Sequence, residues 1–138
     1  MINKYIKMTG LLFCLLLTFM FSQDVILSLE GSSLNYNSSQ DIAGFQFNHD
    51  GCASYANGGD AVENGFAISA SSTAVLGFSF TGNVIPAGEG ILIDLGSDNC
   101  TESSLYDFIF SDPYGNSLEV ELSLPISGCT DLSTCNYN

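Results

Sequence analysis

The chain has 138 residues and a formal net charge of −13; its only cations besides one histidine are Lys4 and Lys7, and all 15 carboxylates lie beyond residue 23. Nucleic-acid binding, phosphate cradles, arginine clamps and lysine Schiff bases are excluded, because each needs a lysine or arginine and the part that folds has none. What remains is a polyanion that can attract cations, offer hydroxyls, amides and aromatics to a neutral ligand, or meet another protein.

Lys4 and Lys7 precede an apolar run from Met8 to Phe21, then Ser22 and Gln23. That order of positive, apolar and polar segments is the pattern of a secretory signal peptide over 1–22. At about 14 residues the run is short for a bilayer span, which needs roughly 20. Cleavage near Ser22 or Gln23 is expected. An uncleaved membrane anchor is the alternative, because Met20 and Phe21 are bulky where small residues favour cleavage.

The remaining residues, about 115, suffice for one domain and not for two. The first strands are expected at Val25 to Glu30 and at Ala43 to Asn48. His49, the only histidine, follows in the segment Asn48 to Gly51 with no nucleophile motif nearby, and reads as a turn residue. Four cysteines lie beyond the leader: Cys52, Cys100, Cys129 and Cys135. An even count in a chain addressed to an oxidising compartment reads as disulfides, with three pairings open. Spacing suggests a long bridge, Cys52 to Cys100, and a local one, Cys129 to Cys135. Zinc fits poorly, since no cysteine pair has two-residue spacing and only one histidine exists.

Phe66, Ile68 and Ala70 supply another strand, as do Leu76, Phe78 and Phe80, which alternate with Gly77, Ser79 and Thr81. Ile91, Ile93 and Leu95 repeat the pattern. The loop after them carries Asp94, Asp98, Asn99 and Glu102, hard oxygen ligands of the type calcium takes, so calcium is the one cofactor considered. Tyr106, Phe108 and Phe110 form a further strand, and Leu118, Val120, Leu122 and Leu124 alternate with Glu119, Glu121 and Ser123 in the last. Turn signals separate them at Asn57 to Gly59, Pro86 to Gly90 and Asp112 to Asn116. No stretch has helical periodicity with caps. About seven short strands with glycine-rich turns describe an all-β antiparallel sandwich, because each sheet must hide its one apolar face against another.

The runs Ile42-Ala43-Gly44-Phe45-Gln46-Phe47, Val75-Leu76-Gly77-Phe78-Ser79-Phe80, Ile85-Pro86-Ala87-Gly88-Glu89-Gly90-Ile91-Leu92 and Phe108-Ile109-Phe110-Ser111-Asp112-Pro113-Tyr114-Gly115-Asn116-Ser117-Leu118 resemble, in order, the strands and turns of cohesin-like domains. The resemblance covers about Val25 to Pro125 and implies a jelly-roll sandwich over 24–126, related to carbohydrate-binding modules. It also implies docking of a dockerin partner, or service as an extracellular assembly or adhesion module. The tail 127–138 resembles a second pattern. Gly128-Cys129-Thr130-Asp131, followed by Cys135-Asn136-Tyr137-Asn138, is similar to the opening of a cysteine-containing repeat of secreted surface proteins. The expectation is a repeat whose continuation lies beyond Asn138.

With so many carboxylates some pair always suits a glycosidase, so their presence carries no catalytic signal, and no enzyme is expected. The functional expectation is a secreted or cell-surface, non-catalytic module that contacts a glycan or a partner protein domain; the alternative is a structural spacer of a larger surface protein. Tyr36, Tyr55 and Tyr114, each in a turn-rich polar context, are the candidate ligand contacts. Nucleic acid is excluded as a partner, and a membrane enters only through an uncleaved leader.

Overall fold

A computed structural model describes residues 23–124; the expected leader and the tail with Cys129 and Cys135 lie outside these residues. The elements are β1 (Val25–Glu30), β2 (Ser33–Ser38), β3 (Gly44–His49), α1 (Gly59–Glu63), β4 (Ala67–Ala70), β5 (Ala74–Phe78), β6 (Gly88–Asp94), a 3-10 turn (Glu102–Ser104), β7 (Leu105–Ser111), β8 (Ser117–Leu118) and β9 (Val120–Leu122). They form a four-stranded sheet in the order β6-β2-β1-β9 and a five-stranded sheet in the order β4-β5-β3-β7-β8. The pairs are antiparallel except β1 with β9, which is parallel. The two sheets pack as a sandwich.

Between them lie Val25, Leu27, Leu34 and Tyr36 from one sheet and Phe45, Phe47, Val75 and Phe110 from the other. Phe45 is the centre of an aromatic stack, with ring centroids 6.5 Å from Phe47, 6.2 Å from Phe66 and 5.7 Å from Phe110. Such pairs add about 0.5–1.5 kcal/mol each to the area they bury. Four of the ten Phe of the sequence, Phe45, Phe47, Phe66 and Phe110, are buried here; three others belong to the expected leader, and Phe80 is exposed.

Three strands carry apolar faces that simple alternation assigns wrongly. In β5 the buried positions are Val75 and Gly77, whereas Leu76 faces water and Phe80 lies beyond the strand, 82% exposed. The reason is steric. A β-carbon at Gly77 would overlap the Phe45 ring, so this residue must be glycine to let the ring close over the sheet. In β6, Leu34 pairs with Ile93 and Asn35 with Ile91, so Leu92 is an extra residue opposite β2. This bulge reverses the alternation and buries Leu92, Ile93 and Leu95 while Ile91 faces out. In β7, Gln46 pairs with Ile109 and Asn48 with Tyr106, again one residue too many. Asp107 takes up the bulge with φ of 56° and accepts a hydrogen bond from Asn48 Nδ2 at 3.2 Å. Asp tolerates the left-handed region better than most side chains. Tyr106 therefore faces out, and Leu105 is buried in its place.

The expected single strand from Leu118 to Leu124 is two strands. Leu118 belongs to the five-stranded sheet and Val120 to Leu122 to the other, with Glu119 at the crossing. The Asp24 carboxylate receives the Glu119 N–H at 2.9 Å, and the Glu119 carbonyl accepts from the N–H groups of Asp24 and Val25.

One short helix, α1, is present where none was expected. Gly59 begins it with φ of 66°, and a β-carbon there would stand 2.6 Å from the Leu92 carbonyl oxygen; glycine is what lets the helix lie directly on β6. His49, expected in a turn, is the buried last residue of β3. Its Nδ1 accepts the N–H groups of Gly51 and Ala53 at 3.0 and 3.3 Å, and its Nε2 lies 2.9 Å from the Ser71 carbonyl oxygen. The Nε2–H tautomer satisfies all three contacts, which makes the ring an internal brace of the loop that leads to Cys52.

Candidate functional site

The residues that the sequence proposes as a site are dispersed in the fold. Asp94 closes β6, where its carboxylate accepts from the Gly96 N–H at 2.8 Å and the Ser32 hydroxyl at 3.3 Å. Asp98 and Asn99 are exposed in the following loop, and Glu102 opens the 3-10 turn. Among the described residues no group of three or more His, Cys, Asp or Glu side chains is placed to hold a metal ion.

Cys52 and Cys100 are joined, with Cα atoms 5.2 Å apart, so the long-range bridge inferred from spacing is present. It ties the loop after β3 to the loop after β6, and the Ser97 hydroxyl adds a bond to the Cys52 carbonyl at 3.0 Å.

The three tyrosines differ in kind. Tyr55 and Tyr114 are exposed in loops, but Tyr55 follows the end of β3 while Tyr114 follows the part of β7 that pairs with the start of β3. The length of the strand separates them, and they do not make a row. Tyr36 is on β2 rather than in a turn, and it is buried. Its hydroxyl donates to Asp60 of α1 at 2.7 Å. Burial, then the hydrogen bond to Asp60 and the negative charge of that carboxylate, raise the phenol well above the ordinary tyrosine range.

The sign of that shift yields a prediction. A raised phenol pKa means that the folded state opposes ionisation, so the contribution is present below pH about 10 and is lost as pH rises further, when unfolded tyrosine ionises first. Tyr36 should be the last tyrosine to give a tyrosinate absorbance, and it should do so together with loss of the native circular dichroism. Tyr36→Phe should remove that late step. One titration step for every tyrosine in a protein that stays folded would contradict the assignment.

The feature that stands out is the outer face of the five-stranded sheet. Its registers set Ser69, Leu76, Gln46 and Ile109 in one row across β4, β5, β3 and β7. A second row runs through Ala67, Phe78, Gly44 and Ser111, and a third joins Ala74, Asn48 and Tyr106. Ile109 is 58% exposed, Leu76 and Tyr106 are also open to water, and Phe80 stands against Phe78 at the rim, ring centroids 4.7 Å apart. In all five strands of this sheet the one carboxylate is Asp107. The strands of the other sheet contain Glu30, Glu89, Asp94 and Glu121. An acidic domain thus has one broad face that is apolar and nearly uncharged.

Sequence reasoning passed over this face for a physical reason. Alternation groups Leu76 with Phe78 and Phe80 as the apolar side of its strand, and only the two registers through Gln46 show that Leu76 looks outward beside Ile109.

No family model matches the chain, and comparison with curated proteins gives no match. Among solved structures the chain is similar to a non-cellulosomal cohesin from the hyperthermophilic archaeon Archaeoglobus fulgidus, at 14% identity and a TM-score of 0.47, over 73% of this chain and 86% of that one.

Proposed function

We propose that this chain is an extracellular, non-catalytic module that docks a partner protein domain on the outer face of its five-stranded sheet. The observation that carries the reading is the combination there of exposed Leu76, Ile109, Tyr106 and Phe80 with amides at Gln46 and Asn48 and almost no charge. Interface cores are depleted of charged residues and enriched in aromatics, and contiguous apolar patches on soluble domains mark association sites. At the centre Leu76 and Ile109 flank the single amide of Gln46, and the Asn48 amide is engaged by Asp107, so the face favours a protein over a sugar, whose many hydroxyls need several free polar partners. The disulfide and the expected leader support an oxidising, extracellular setting.

The test is a paired binding experiment. A panel of dockerin domains and the proteins of a secreted fraction are presented to the immobilised protein and to its Leu76→Glu/Ile109→Glu variant. Two carboxylates on an apolar hot spot should weaken a partner by at least about 100-fold, roughly 2.7 kcal/mol, while the circular dichroism of the variant stays native. A partner held equally by both proteins would remove this face from the function.

A further inference from the structure

We propose a second binding site, independent of the docking face: the outer groove of the four-stranded sheet takes a short, neutral oligosaccharide. The groove has a volume of about 610 Å³ and is lined by Ile26 and Ser28 of β1, Asn35 and Asn37 of β2, and Glu89 and Ile91 of β6. The strand registers place these side chains in two parallel rows, Glu89–Asn37–Ile26 and Ile91–Asn35–Ser28.

The choice of residues on β2 is what calls for an explanation. This strand lies inside the sheet, between β6 and β1, where β-branched and aromatic residues are favoured and asparagine is among the least suited. Both outward positions at its centre are nonetheless asparagine. Neither supports a turn. Among the described residues the Asn35 amide has no hydrogen-bond partner, and the Asn37 amide has only a long one, 3.4 Å to Glu89. A local rule broken twice on one face, with no structural return, is the pattern of a functional site.

The chemistry of the lining selects the ligand. Each amide offers both donors and an acceptor, and Ser28 adds a hydroxyl, which suits a ligand that presents hydroxyls along its edges. Ile26 and Ile91, 42% and 44% exposed, lie among them and match the apolar C–H faces of sugar rings. Glu89 in the groove and the absence of lysine and arginine beyond Lys7 turn away phosphorylated, sulfated and uronic acid chains.

The site is tested by nuclear magnetic resonance titration with the hexasaccharides of β-1,4-glucan, β-1,4-mannan and β-1,4-xylan, with hexagalacturonate and an uncharged hexapeptide as comparisons. At least one neutral sugar should shift the side-chain amide signals of Asn35 and Asn37. Asn35→Thr/Asn37→Thr, which suits the strand better, should raise Tm by a few degrees and weaken the sugar at least tenfold. Leu76→Glu/Ile109→Glu should leave sugar binding unchanged, which keeps this result separate from the docking face. The proposal is overturned if none of the neutral sugars shifts these amides, if the threonine variant binds as well as the original, or if the uronate or the peptide binds instead.

Discussion

Replacing Cys52 and Cys100 together by serine should lower the free energy of unfolding by about 4 kcal/mol, a large share of the roughly 5–15 kcal/mol that holds a domain folded. The bridge closes a sequence separation of 48 residues, and by the chain-entropy relation a closed loop of that length removes about 4 kcal/mol of unfolded-state freedom. The two loops it joins are irregular, braced by His49 and by the Ser97 bond to Cys52, so their own backbone pairing replaces little of what is lost. The double variant is the right comparison, because a single one leaves a thiol. Urea unfolding of the oxidised protein and of the variant, with the slope compared as well as the midpoint, measures the difference. A change under about 1 kcal/mol would mean that the unfolded chain is already held compact without the bridge.

Gly77→Ala should cost about 3 kcal/mol although it adds a single methyl group to a strand residue. Elsewhere in a strand, alanine for glycine is neutral or helpful. Here the methyl group would enter the space of the Phe45 ring, and the ring is hemmed in by Phe47, Phe66 and Phe110. If this contact is the cause, Phe45→Leu in the same chain should recover at least about 1 kcal/mol relative to the sum of the two single changes. Strict additivity in that cycle would place the cost in the backbone.

That glycine also shows where sequence reading stops. Strands announced by β-branched and aromatic runs were legible: β1 lies at Val25–Glu30 as expected, β4 falls within its expected segment, and β3, β6 and β7 overlap theirs, although β6 begins at Gly88 inside the turn expected at Pro86 to Gly90. β2 was not legible, because Ser-Leu-Asn-Tyr-Asn-Ser has the composition of a loop and becomes a strand only between two neighbours that pair with it. The inward faces of β6 and β7 were hidden by the bulges at Leu92 and Asp107, since one inserted residue reverses a period of two and leaves no mark in composition. Helix α1 is too short to show a period. For the candidate sites the limit was of the same kind. Tyr36 looked exposed because β2 looked like a loop. The pairing of Cys52 with Cys100 was suggested by spacing, but the sequence left three pairings open and the structure selects this one.

The parallel pairing of β1 with β9 bears on the spacer role that the sequence also suggests. Val25 and Leu27 stand beside Val120 and Leu122, and the two strands, the first and the last among the described residues, run in the same direction. A tension applied to the chain before Val25 and after Leu122 therefore pulls the neighbours past each other along their length instead of peeling them apart. Loaded in shear, the bonds from Val25 to Glu119 and from Ser123 to Leu27 must yield together. A module whose two ends are clasped in this way resists stretching by its topology, whatever it carries on its faces.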